Sequence, residues 1–338
     1  MRPIDIDGSY LEGGGQILRT ALGLSAATGT PCRIVNIRKG RRKPGLAAQH
    51  LSGVNGVAQI CSAAVEGARI GSQELTFAPG PLDPPETISV AVGTAGAVTL
   101  VLQGMMIPLA VAGRRVEVAV SGGTHVNWSP TIDYFQRVFC YHIGRVGVQA
   151  ELLEAEPGFY PKGGGRVCVR VGPGTPTPLV LTERGELERI RARSIATTEL
   201  AKARVAERQL EGAEQVVAMD APDFDYVQSR SIGSAIHLTA EYADCRLGAS
   251  ALGERGKPAE KVGREAAGLL KRAMQTGACL DAHMADQILP YLALAQGASC
   301  VSVAGVTDHC RTNMWVIEQF LPVHFEVDEG RGLISCTP

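Results

Sequence analysis

Asp5-Ile6-Asp7-Gly8-Ser9-Tyr10-Leu11-Glu12-Gly13-Gly14-Gly15-Gln16-Ile17-Leu18-Arg19-Thr20-Ala21-Leu22-Gly23-Leu24 reads as a short strand, a glycine-rich turn and the first turns of an apolar helix. The helix is predicted over about Gln16–Thr28, followed by a strand at Cys32–Ile37, a basic loop at Arg38–Gly45, a helix over Leu46–Val65 and a strand at Glu74–Phe77. The same order recurs twice, at a period of about 80 residues before an insertion. The second copy has strands at Ile88–Val92, Val116–Val120, Gln149–Leu153 and Val167–Val171, with helices over Ala97–Ala110 and Thr131–Val146. The third ends the chain: a helix around Ala285–Ala295, a strand at Cys300–Ala304, a loop holding His309, a helix over Asn313–Phe320, and strands at His324–Val327 and Gly332–Cys336.

The expected fold is therefore α+β, with three βαβαββ units whose helices pack on four-stranded sheets. Residues 185–277 interrupt the third unit with a more charged segment of strands and helices (Arg191–Thr197, Glu199–Gly212, Ala235–Ala243, Cys245–Leu252, Ala259–Gln275). Such a segment is long enough for a small inserted α+β domain. This divides the chain into a core of residues 1–184 and 278–338 and an insert of residues 185–277.

A chain of 338 residues can bury a full core and commonly holds two domains. Aromatics at 5% leave few base-stacking platforms, and a net charge of −1 argues against coating nucleic acid by charge alone. Neither excludes gripping one phosphorylated end. The nine scattered cysteines form no metal-finger spacing, and a reduced cytoplasmic setting is the simplest reading. Acidic residues at Asp5 and Asp7 stand where a signal peptide would be apolar. The uncharged stretch Thr87–Gly113 is interrupted by Gly93, Gly96, Gln103, Gly104 and Pro108, and reads as a buried strand and helix and not as a membrane span.

Five motifs stand out. Glu12-Gly13-Gly14-Gly15-Gln16 at a strand-to-helix turn lets backbone N–H groups approach an anion, although a glycine triplet by itself is more often a plain tight turn. Arg38-Lys39-Gly40-Arg41-Arg42-Lys43 puts five cations into one loop, followed by Gln49 and His50. Solvated charge is the usual fate of such runs, but guanidinium forks suit phosphate oxygens. Ser121-Gly122-Gly123-Thr124 and Gly158-Phe159-Tyr160-Pro161-Lys162-Gly163-Gly164-Gly165 are further glycine turns. His309, between Asp308 and Arg311, would by itself be an exposed or capping residue.

Taken together, these motifs resemble RNA 3'-terminal phosphate cyclases over nearly the whole chain. The match includes Asp7-Gly8, Glu12 to Arg19, Gly40-Arg41, Lys43 to Leu46, Gln49-His50, Ser121 to Thr124, Gly158 to Gly165, Ala285-Asp286-Gln287, and His309 with Thr312-Asn313. The resemblance implies an ATP-dependent reaction on an RNA with a 3'-phosphate end, through a covalent histidine–AMP intermediate on His309. It further implies that Glu12 holds a divalent metal, magnesium or manganese. Arg19, Arg38, Arg41, Gln49 and His50 would handle phosphates, and Gln103, Pro130, His283, Met284, Ala285, Asp286 and Gln287 would line the nucleotide pocket. His283 stands where the family often has an aromatic, and Pro157 where a basic residue usually precedes the Gly158–Gly165 signature. Two other classes share the repeat architecture. Enolpyruvyl transferases would not need His309, and a non-catalytic ribosome-assembly relative lacks that histidine.

Overall fold

The computed structural model describes residues 2–338. Alternation decides the first strands: Ile6 of β1 (Ile4–Asp7) and Cys32 and Ile34 of β2 (Cys32–Val35) are fully buried while Asp5, Asp7 and Arg33 face water. Between them runs α1 (Gly15–Thr28), buried along most of its length, as its apolar composition requires. Helix α2 (Ala48–Cys61) and strands β3 (Ala64–Glu66) and β4 (Leu75–Ala78) complete a sheet ordered β1-β2-β4-β3. The next stretch holds β5 (Thr87–Ala91), α3 (Val98–Leu109), β6 (Val116–Gly122), α4 (Ile132–Tyr134), a π-helical turn at Phe135–Phe139, α5 (Cys140–Arg145), β7 (Ala150–Glu156) and β8 (Gly165–Val171). Its sheet is ordered β5-β6-β8-β7.

After β9 (Val180–Leu181), β10 (Leu187–Thr197), α6 (Val205–Glu214), β11 (Ala221–Val227), β12 (Ser234–Tyr242), β13 (Arg246–Leu252) and α7 (Ala259–Gln275) follow, and the four strands from β10 to β13 make a sheet of their own. The chain closes with α8 (Ala282–Leu294), β14 (Ser299–Ser302), α9 (Asp308–Phe320), β15 (His324–Asp328) and β16 (Leu333–Thr337). Their sheet is β15-β16-β14-β9. Counted from β9, it has the first-second-fourth-third order of the two earlier sheets. In all three the first pair is parallel and the rest antiparallel. The fold is thus mixed α/β, with four four-stranded sheets and nine α-helices among the described residues. Among these residues no helix is long and apolar enough to cross a membrane, and Thr87–Gly113 supplies β5 and α3 as expected.

Several boundaries differ from the sequence reading, each for a local reason. The helix expected to reach Val65 stops at Cys61, because Ser62 turns left-handed (φ 47°) and releases the chain into β3. Strand β11 was missing from the expectation: Asp223, Asp225 and Pro222 break any apolar alternation, which an edge strand tolerates. The helix expected over Thr131–Val146 carries the π-helical turn, where buried Phe135 and Phe139 stack with centroids 5.1 Å apart. Helix α9 begins at Asp308 and not at Asn313, so His309 lies in a helix and not in a loop.

Burial of ionisable groups gives the fold a pH dependence. His142 and His237 are buried, and burial pushes the pKa of each down to about 4. Unfolding returns them to about 6.5, so the unfolded chain binds more protons below that pH and stability falls as pH drops from 6.5 toward 4. Asp286, pushed up to about 7 by burial, acts in the opposite sense, its folded carboxyl keeping a proton that the unfolded chain releases. His142→Phe removes one histidine and leaves Asp286 in place. Urea melts between pH 6 and 5 should then show the variant's stability falling about 1 kcal/mol less per pH unit than that of the parent. An identical slope would mean that His142 titrates alike in both states.

Candidate active site

The glycine turn is shaped by what lies over it. Gly13 is left-handed at φ 57°, a Cβ on Gly14 would sit 2.1 Å from Glu12 Oε2, and one on Gly15 would sit 2.4 Å from His50 Nε2. Glycine at 14 and 15 therefore lets Glu12 and His50 lie against the start of α1. Gln16 opens that helix, and Arg19 follows on the same face. Farther along, a Cβ on Gly23 would lie 2.9 Å from the carbonyl oxygen of Gly104. This close approach of α1 and α3 brings Arg19 opposite Leu100 and Gln103.

The far end of the chain completes the site. Thr307 caps α9, its Oγ1 accepting from the backbone N–H of Cys310 (3.2 Å), which sets His309 in the first turn. One turn on, Asn313 donates through Nδ2 to the carbonyl of Asp286 (2.8 Å) and accepts at Oδ1 from Thr20 Oγ1 (2.7 Å). A single side chain thus ties α1, α8 and α9 together. Asp281 caps α8 by accepting from the N–H groups of His283 and Met284, and it also receives the Tyr134 hydroxyl (2.7 Å) and the Gly248 N–H (2.9 Å).

These elements enclose a cleft of about 680 Å³. Glu12, Arg19, Arg38, Arg41, Gln49, His50, Gln103, Pro130, His283, Asp286, Gln287 and His309 all line it, so the two ends of the chain and the residues between them meet. Met284 and Ala285 do not. Both are fully buried in the core, and their N–H groups are bonded to Asp281. A helix presents positions i, i+3 and i+4 to one side, so His283, Asp286 and Gln287 face the cleft while the two residues between them face away. Lys39, Arg42 and Lys43 of the basic loop are exposed and outside the cleft.

Contacts define the roles open to each side chain. Gln16 donates through Nε2 to Asp286 Oδ2 (2.7 Å), which leaves Oε1 as an acceptor, and His309 Nδ1 lies 2.6 Å from that oxygen. His309 therefore carries its proton on Nδ1 and turns an unprotonated Nε2 outward, 4.0 Å from Glu12 Oε1. Burial lowers the His309 pKa; Glu12 opposes the shift, while the positive charges of Arg19 and Arg41 and the His283 ring add to it, keeping the ring neutral. His50 accepts from the Ala47 N–H at Nδ1 (3.1 Å), and its pKa is pushed down to about 3 by burial, with Arg38 and Arg19 adding to the effect. Its Nε2 is thus a neutral donor.

Arg19 is half-buried, and desolvation lowers its pKa to about 10, so it remains a cation at neutral pH. Arg38 donates to the carbonyls of Lys43 (3.0 Å) and Gly45 (2.7 Å), holding its own loop closed. Gln49 accepts from the N–H of Ala97 (2.7 Å), Gln103 donates to Gln287 (2.9 Å), and the Pro130 carbonyl accepts from Thr99 Oγ1 (2.8 Å). Arg41 pairs with Glu12 Oε1, whereas Glu12 Oε2 is buried without a hydrogen-bond partner.

A carboxylate that lines the cleft and keeps one oxygen unpartnered fits a metal ligand. Among the described residues no group of three or more His, Cys, Asp or Glu could hold an ion, so Glu12 would need its remaining ligands from a phosphate-bearing substrate and water. In the sequence Gln16 and Asn313 stand only as motif positions, and Leu100, Trp128 and Ser129, which belong to none of the motifs, also line the cleft. Trp128 carried one signal: it is one of only two tryptophans in the chain.

A family model described as RNA 3'-terminal phosphate cyclase matches residues 10–327. An RNA 3'-terminal phosphate cyclase of Methanopyrus kandleri is 47% identical over 98% of this chain and 97% of its own length. Proteins of the same name from Pyrococcus furiosus (44%, covering 97% of this chain and 96% of theirs) and Nitrosospira multiformis (43%, 98% and 95%) are similarly close. The solved enolpyruvyl transferase NikO of Streptomyces tendae aligns over 100% of this chain and 82% of its own, at 8% identity and a TM-score of 0.23, too low to speak for a shared fold. With the family pattern running from the glycine turn through His309, and relatives aligned along nearly their full length, the chain belongs to the RNA 3'-terminal phosphate cyclase family.

Proposed function

We propose that this protein uses ATP to convert an RNA 3'-phosphate end to a 2',3'-cyclic phosphodiester, releasing AMP and pyrophosphate. The observation that carries this reading is the contact of His309 Nδ1 with Gln16 Oε1 (2.6 Å): an Nδ1–H donated there opens the Nε2 lone pair on a cleft lined by Arg19, Arg38 and Arg41. In the first step Nε2 attacks the α-phosphorus of ATP, an Nε2–P bond forms, and the bond to pyrophosphate breaks. Gln16, itself fixed by Asp286, stabilises the positive ring through the Nδ1–H bond. An oxygen of the RNA 3'-phosphate then takes the AMP from Nε2. The 2'-OH attacks the terminal phosphorus, loses its proton to solvent, and AMP leaves. No strong base is needed for this last step, because the ribose holds its own nucleophile in place and AMP is a good leaving group.

Glu12 is the residue fitted to hold a magnesium or manganese ion on the triphosphate, where the ion would offset negative charge. The cations share that task, and His50 Nε2–H adds a neutral donor. Incubation with α-labelled ATP and metal should give a protein adduct that acid destroys and base does not. An adduct with the opposite stability would exclude a histidine phosphoramidate.

The basic loop supplies a graded test. Arg41→Ala should reduce cyclase kcat/KM by about 10- to 150-fold, the equivalent of one charge-assisted bond worth about 1.5–3 kcal/mol. Arg42→Ala, exposed and outside the cleft, should change it little. Equal losses at both positions would mean a diffuse field and not a bonded phosphate. We also propose that residues 1–184 and 278–338 form a catalytic core of three repeats and residues 185–277 an inserted domain. The shared strand order of three sheets and the separate sheet of β10 to β13 support that division.

A further inference from the structure

Among the large apolar side chains that the fold leaves bare, Trp128 is the one that lines the cleft. Its side chain is 96% exposed, and its backbone is left-handed at φ 67°, a conformation bulky residues rarely adopt. The loop around it is nevertheless pinned. Ser129 Oγ donates to the Val126 carbonyl (3.1 Å), the Pro130 carbonyl receives Thr99 Oγ1 (2.8 Å), and Thr131 caps the following helix. The segment thus holds an indole out over the cleft, almost fully exposed.

We propose that Trp128 is the stacking platform for the base of the RNA's 3'-terminal nucleotide. The proposal rests on the reaction proposed above, in which two nucleosides must meet in one cleft. Four aromatic rings line it, His50, His283, His309 and Trp128; His50 and His309 are already given to phosphate and AMP, which leaves His283 and Trp128. His283 opens α8 beside Asp286 and Gln287, the side taken for the nucleotide. ATP is small enough to lie wholly inside. The RNA has a chain that must leave, so its last base belongs at the rim, where a side chain is almost fully exposed. Stacking accepts any base, which suits end recognition by a protein of net charge −1 that has little charge to spend on the upstream strand.

Two measurements decide the matter. In a Trp315→Phe background Trp128 is the only tryptophan, Trp315 lying outside the cleft against Tyr10. A short RNA ending in 3'-phosphate should quench its emission, and the same RNA with an abasic last nucleotide should not. In kinetics, Trp128→Ala should raise KM for RNA by about 5- to 150-fold, the range of one base stack, with Trp128→Phe recovering most of it. The abasic end should weaken binding to the parent and add nothing to the defect of Trp128→Ala. KM for ATP and the rate of self-adenylylation should not move.

A loss confined to ATP binding and self-adenylylation would overturn the proposal and give Trp128 to adenine. An RNA that neither quenches nor distinguishes Trp128→Ala from the parent would overturn it outright. Failure of the unmutated protein to form any AMP adduct would sink the reaction scheme instead. The quench needs no turnover and would still decide the role of Trp128.

Discussion

His309→Ala should take up no label from α-labelled ATP while folding as the parent does. The side chain is half exposed and its hydrogen bond is to Gln16, so its loss should cost about 1 kcal/mol of stability, measurable by urea melts. The loss of adenylylation should be of another order. Removing a general acid or base leaves about 10⁻²–10⁻⁴ of the rate, but removing the nucleophile removes the step. His50, which also lines the cleft, has Nδ1 engaged by the Ala47 N–H and a proton on Nε2, so it has no lone pair to offer. An RNA already carrying AMP on its 3'-phosphate should bypass the defect and still be cyclised by the variant. Labelling of His309→Ala by ATP, or its failure on the preactivated RNA, would each break a different step of the scheme.

An RNA whose last nucleotide lacks the 2'-OH should yield no cyclic product and should instead accumulate with AMP joined to its 3'-phosphate. The first two steps do not involve the 2'-OH, whereas the third uses it as the nucleophile. A gel with labelled ATP would show the capped species as a shifted labelled band, and the matching ribose substrate would show cyclised product and free AMP. The same RNA ending in 3'-OH should do neither, because it has no phosphate to accept AMP. If the deoxy substrate gave no capped species while the ribose substrate was cyclised, the order of steps would be wrong.

How much of this was legible depended on whether the signal was local. The run from Gln16 to Thr28 announces α1 because nearly every side chain in it must be buried. Strand β11 gives no such notice, since an edge strand facing water keeps the composition of a loop. The start of α9 was written in Thr307 and Asp308, a cap and a first-turn acid, but the polar residues that follow hide the helical period until Met314. The resemblance assigned His309 and Glu12 to one site, and both line the same cleft. It could not supply the Gln16 bridge, which sets the tautomer and exists only after residues 293 positions apart have met. The stretch His283–Gln287 was taken as a block, and helix geometry divides it, turning Met284 and Ala285 into the core. A lone tryptophan in a loop has no period at all, and only its exposure over the cleft marks it out.

The contact between Gln16 and His309 also has a consequence in time. Ribosomes deliver Gln16 293 positions before His309, the nucleophile of the proposed scheme. Until α9 emerges, α1 lacks Asn313 and His309 as neighbours, and on that scheme the nascent protein carries arginines and a carboxylate with no group to accept AMP. On the proposed scheme, a product of premature termination before His309 would be inert toward ATP, however well its first two sheets fold. Adduct formation in a translating extract would then serve as a clock, appearing only when α9 has been made and has docked against α1.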